Sequence, residues 1–148
     1  MKKIFILFLM MPILLPCLAM GEDSPIGKIR TGKGDVAVIR GGKEIHTNIN
    51  DRIYRNDIIR TGANSSVGII FEDNTIVSLG QKSEIVIEEY IFAPEKGTLS
   101  MIIRMLKGTA SYLSGIIGQQ SPESVKFLTP DATIGIRGTQ FLVKVEGK

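Results

Sequence analysis

Cysteine is almost missing from this 148-residue chain: there is one, Cys17, inside an N-terminal apolar stretch. The rest holds no thiol. That excludes disulfides, thiolate nucleophiles and cysteine metal sites from the body of the protein. Histidine is down to one as well, His46, in a polar stretch between Glu44 and Asn48. A lone histidine of that kind lacks the companions of a base or a metal centre. Ser65, Ser66, Ser78, Ser83, Ser111 and Ser114 therefore have no plausible histidine partner. No phosphate-cradling Gly-Lys-Ser/Thr run occurs. Tryptophan is absent and aromatics make up 6% of the chain. A sugar-stacking face would rest on Tyr54, Tyr90, Tyr112 and the phenylalanines. Glu88 and Glu89 are adjacent, so on a strand they point to opposite faces and make a poor acid–base pair. Glu72-Asp73-Asn74 is too short and too common a turn to specify calcium. No catalytic residue, metal site or cofactor is expected.

Long apolar runs are also scarce. One exists, Ile4–Leu15, twelve residues interrupted by Pro12 and preceded by Lys2 and Lys3. A membrane span needs roughly 20 residues. Pro16 breaks the run, and Cys17-Leu18-Ala19 supplies small residues at its first and third positions. This is the pattern of a secretory signal peptide cut after Ala19. The competing reading is lipidation at Cys17, but a lipobox wants Gly or Ala where Pro16 stands. Loss of Lys2 and Lys3 without any acid takes the formal charge from +3 to +1. A nucleic-acid partner is therefore not expected, nor a stable membrane span after cleavage. The expected location is periplasmic or secreted. The division reads as signal peptide 1–19, flexible leader 20–25 and one β domain 26–146.

From Ile26 onward, short runs alternate apolar and polar residues and are cut by Gly, Asn and Asp, a β pattern. Asp35–Arg40 puts Val36, Val38 and Arg40 on one face, and Gly41-Gly42 reads as a tight turn. Asp57–Thr61 is a short strand ending at Gly62. Ser66–Phe71 meets Thr75–Leu79 across an acid- and amide-filled turn, the clearest hairpin. Glu84–Ile91 alternates Ile85 and Ile87 with charge. Ala93–Gly97 is a loop. Thr98–Leu106 fits helical or strand spacing and is assigned as strand, with Gly108 restarting a further run. Gln119–Ser124 reads as a polar loop, and Thr133–Arg137 and Gln140–Val145 close the chain. Strand spacing of about 8–12 residues suits a sandwich, barrel or β-roll.

Ile29-Arg30-Thr31-Gly32 recurs as Ile59-Arg60-Thr61-Gly62, and Ile136-Arg137-Gly138-Thr139 is a scrambled third copy. Strand-and-turn grammar explains each letter: an inward Ile, a solvent Arg, a β-favouring Thr, a turning Gly. The functional alternative has Arg30, Arg60 and Arg137 converging to contact an anion or an acidic partner.

Three stretches together resemble the FecR-type domain, the ferric-citrate-regulator-like periplasmic module of bacteria. Asn56–Tyr90 carries Asp57, Thr61 and Gly62 of its first turn, Asp73 of its hairpin and Ser83 of the strand after it. Leu106–Ala110 carries Gly108. Phe127–Val145 is similar to a T-P-x-A-x-x-G-V-R-G-T-x-F-x-V motif, with Thr129, Pro130, Gly135, Arg137, Gly138, Thr139 and Phe141 in place. The resemblance implies that these residues are mainly structural, and it implies an all-β, short-stranded β-roll or β-solenoid-like fold. Transmembrane regulators of this family join a cytoplasmic anti-sigma part to such a domain, which receives a signal from an outer-membrane transporter. Three residues before the apolar run leave no room for that part, so a stand-alone exported form is expected. The expected role is a non-catalytic module binding an envelope protein in sensing or signalling, through strand edges and turns. The alternative is a module for a small molecule or envelope glycan.

Overall fold

The computed structural model describes residues 23–147. The signal-peptide, Cys17 and Ala19 readings, and the first half of the leader, lie outside the described residues.

Alternation dictates the secondary structure. Twelve strands form: β1 Gly27–Lys33, β2 Val36–Arg40, β3 Lys43–His46, β4 Arg52–Ile53, β5 Ile58–Thr61, β6 Ser66–Phe71, β7 Ile76–Leu79, β8 Glu84–Ala93, β9 Thr98–Leu113, β10 Val125–Leu128, β11 Thr133–Gly135 and β12 Gln140–Val145. The β2–β3 turn is Gly41-Gly42, with φ of 56° and 77°, the doubly left-handed geometry that a two-residue hairpin requires. Asn50, Asn56, Asn64 and Asn74 also take positive φ, as the residue type that best tolerates it after Gly.

The strands curl into one largely antiparallel half-barrel sheet, ordered β3-β2-β5-β8-β9-β7-β6-β1-β4. The all-β expectation is met; the roll or solenoid detail is met loosely, as a curl rather than as stacked rungs. The organising element is β9, sixteen residues long. Thr98–Lys107 pairs with β8, while Ala110–Leu113 pairs with β7. On its other side β9 takes β10 in parallel along Met101–Arg104, then β12 antiparallel along Gly108–Leu113. One strand thus serves two half-sheets and bends between them, as strands do at sheet corners. The bend is Gly108, with φ 93°. A Cβ there would lie 2.4 Å from Ser83 Cα, so the expected break is instead a kink in one continuous strand.

The concave face buries the core. Ile59, Ile85, Ile87, Met101, Ile103 and Phe127 come from one half; Ile29, Ile69, Val77, Leu79 and Tyr112 come from the other. The expected polar loop at Gln119–Ser124 is part helix. A short helix, α1 (Ile116–Gln120), and a 3-10 turn at Pro122–Ser124 connect β9 to β10.

Candidate functional site

The family-type residues from Asp57 to Gly108 sit at three polar nodes where strand ends meet. At the first, Asp57 is fully buried at the start of β5. Its carboxylate accepts Arg40 Nε at 2.8 Å, Arg40 Nη2 at 2.7 Å and the Tyr54 backbone N–H at 2.8 Å. Arg40 lies over the Tyr54 ring, 4.4 Å from its centroid. The fork matches both carboxylate oxygens, and this bond to Asp57 raises the Arg40 pKa further. Arg40 extends the buried Val36–Val38 face, and that position is the signal by which the sequence could have exposed its role.

At the second node, Asp73 is buried in the β6–β7 turn. It accepts four donors: Thr75 Oγ1 at 2.7 Å, Thr75 N–H at 3.2 Å, Tyr90 O–H at 3.1 Å and Ile117 N–H at 3.1 Å. Its own N–H donates to Tyr90 Oη at 2.9 Å, and its carbonyl accepts Ile116 N–H at 2.8 Å. A hairpin turn therefore caps a helix some forty residues away in sequence. The approach is so close that a Cβ on Gly115 would lie 2.2 Å from Thr75 N. Burial, then the Asp73 charge, pushes the Tyr90 hydroxyl well above its ordinary pKa. Burial also raises Tyr112. The Tyr112 hydroxyl has no hydrogen bond of sound geometry, although the hydroxyls of Ser114 and Thr75 are its neighbours.

The third node joins Thr61, Ser83 and Gly108. Thr61 Oγ1 donates to the Gly80 carbonyl at 2.6 Å and accepts Ser83 N–H at 2.9 Å, while Ser83 Oγ accepts Thr109 N–H at 2.9 Å. Gly62 N–H donates to the Asp35 carbonyl at 3.0 Å.

The last stretch closes the sheet. Thr129 and Ala132 exchange backbone and hydroxyl bonds around Pro130, turning β10 into β11. The Gly138 and Thr139 carbonyls accept the Ser114 hydroxyl and N–H, at 3.3 and 2.8 Å. Phe141 stacks on Tyr112 with centroids 5.0 Å apart and meets Phe127 edge-on. Gly135 ends β11 with open space around it.

The three arginines of the repeated tetrads occupy different places. Arg60, on β5, pairs with Glu84 at 2.7 Å and Glu44 at 3.7 Å. Arg30 is exposed on β1, with four strands between it and β5 in the sheet order. Arg137 is exposed between β11 and β12 and lines a cleft with Glu123 and Lys126, which neither Arg30 nor Arg60 lines. Glu88 pairs with Arg104 and Glu89 with Ser100. His46 lies 3.6 Å from Asp35. Among the described residues, no group of three or more His, Cys, Asp or Glu could hold a metal ion.

A cleft of about 480 Å³ was not foreseen. It opens at the Gly108 bend between Thr61, Thr109 and three lysines, Lys82, Lys107 and Lys144. The lysines are far apart in the chain, so no local pattern announces them.

The motif residues thus hold three strand-end junctions and the stretch that brings in the last strand. A family model described as FecR protein matches residues 57–148. The chain belongs to the FecR family. Neither the curated proteins nor the solved structures yield a match. The FecR family is regulatory rather than enzymatic, which marks this chain as a signalling or regulatory module. Among the described residues of this FecR domain, no helix is long and apolar enough to cross a membrane.

Proposed function

We propose that this protein is an exported, non-catalytic FecR-type module that binds a protein partner of the bacterial envelope in sensing or signalling. The carrying observation is the FecR match over residues 57–148, from the Asp57 node to the end of the sheet. The curled sheet supports it: a half-barrel keeps strand edges, and edges recruit strands. The buried carboxylates add to this reading. Asp57 and Asp73 are spent on internal donors, so these two carboxylates brace a surface. Periplasmic or secreted placement rests on the N-terminal sequence alone.

In-cell crosslinking of the C-terminally tagged protein, followed by pull-down from envelope fractions and mass spectrometry, tests the proposal. One dominant envelope protein in stoichiometric yield is expected. A clean monomer with no partner would overturn it and turn attention to small ligands.

A further inference from the structure

The sheet has several ends, and they are not equally protected. Natural edges are blunted by shortness, charge or bulges. β3 is four residues long and carries Lys43, Glu44 and His46; β4 has two residues and β11 three. β12 differs: it is six residues, Gln-Phe-Leu-Val-Lys-Val, with one charge. Among the described residues it pairs only with β9.

The register says which groups face out. Ser114 N–H bonds the Thr139 carbonyl, and Gln140 lies opposite Leu113. Bonded pairs alternate along an antiparallel ladder. Thr139, Phe141 and Val143 therefore direct their backbone groups at β9, whereas Gln140, Leu142 and Lys144 direct theirs at the free edge. The side chains of Leu142 and Lys144 stand on the convex face. Leu142 is 72% exposed and Leu113, on the neighbouring strand, 42%.

The same edge runs into the lysine cleft, where Lys144 joins Lys82 and Lys107. Among the described residues one carboxylate pairs with them, Glu146, 3.4 Å from Lys144. Glu84, opposite Lys107 in register, is taken by Arg60. Lys82 is also held at φ 50°, a left-handed position that strains a lysine and suits Asn or Gly better.

We propose that the free edge of β12 takes up an extended acidic segment of the partner, which adds a strand beside Leu142 while its carboxylates enter the cleft of Lys82, Lys107 and Lys144. Backbone bonds at Leu142 and Lys144 supply the pairing, an apolar side chain beside Leu142 sets register, and the lysines select acid over base. This rests on the partner-binding reading above and assigns it a surface.

The test uses protein purified from envelope fractions of cells expressing the full chain. The probe is a synthetic octapeptide alternating valine and glutamate, compared with one alternating valine and lysine. The acidic peptide should bind and slow amide exchange at Leu142 and Lys144; the basic one should not. Leu142→Pro removes an outward N–H that β9 does not use, so it should abolish binding with little change in melting. Lys82→Asn combined with Lys107→Gln should hold or raise the melting temperature and weaken binding roughly fivefold to tenfold. No binding, equal binding of both peptides, or binding retained by Leu142→Pro would overturn the inference. So would a wild-type dimer dispersed by Leu142→Pro, which would assign the edge to a second copy. An envelope partner still captured by Leu142→Pro would sink this surface and leave the proposed function standing. Loss of any partner from the wild type would sink the function itself.

Discussion

Replacing Asp73 by alanine should be among the most damaging single changes in this domain. The carboxylate is wholly buried and satisfies Thr75 N–H, Thr75 O–H, Tyr90 O–H and Ile117 N–H. The Thr75 hydroxyl can turn elsewhere. The other three donors are left buried and unpaired, at about 1–3 kcal/mol each. Partial relaxation brings the sum to about 4–5 kcal/mol, including the lost helix cap. A domain of about 125 described residues has roughly 6–19 kcal/mol in total, so the variant folds but melts some 12–20 °C lower. Asp73→Asn is the informative companion. Its oxygen can still take Thr75 N–H and Tyr90 O–H, but its NH2 then faces Ile117 N–H. It should cost about half as much and loosen α1 selectively. Urea titration followed by circular dichroism gives the sizes, and amide exchange at Ile117 gives the location. An Asp73→Ala penalty below about 1 kcal/mol, or an Asn variant as damaging as Ala with Ile117 still protected, would refute the reasoning.

Arg40→Ala should cost about 2–3 kcal/mol in urea titrations. That is less than for a fully enclosed pair, because the Arg40 side chain is 41% exposed and water partly replaces it; Arg40→Lys should recover less than half, for want of a fork. Gly108→Ala should cost at least about 3 kcal/mol in the same assay, since its Cβ would meet Ser83 Oγ at 2.1 Å on a backbone already at φ 93°. Burial raises the Tyr90 and Tyr112 hydroxyls, so above about pH 10 the unfolded chain gives up protons that the folded one keeps. Stability should be insensitive to these groups below that pH and fall above it, by up to about 1.4 kcal/mol per pH unit for each tyrosine. Tyr112→Phe should remove its share of that fall and, since its hydroxyl is unpartnered, raise stability by about 1 kcal/mol at neutral pH.

Period-two alternation located most strands, because inward Ile85 and Ile87 or Val36 and Val38 leave a plain trace in the letters. The Gly41-Gly42 and Glu72–Thr75 turns were legible for the same reason: their backbone angles admit few residue types. What escaped depends on topology. Ile116–Gln120 has little intrinsic claim to be a helix; it forms where Asp73 receives its first turn. β9 seemed to end before Gly108, since glycine usually interrupts a strand, yet here it bends one. Asp57 and Asp73 were recognised as family positions, while their partners Arg40 and Tyr90 were not, lying seventeen residues away in each case. Lys82, Lys107 and Lys144 were invisible as a group, since each looks like an ordinary surface cation until three strand ends are brought together.

Because β9 belongs to both half-sheets, it also sets the order in which the molecule can be finished. In chain order, β1, β6 and β7 precede the partner that completes their side, and β7 has an open edge until Ala110–Leu113 follows. The β8–β9 hairpin forms locally and early. Its distal end then becomes the template on which the waiting strands and, last of all, β12 are laid. A chain truncated before Ala110 would leave the β7 edge bare, and association between such chains would be its characteristic failure.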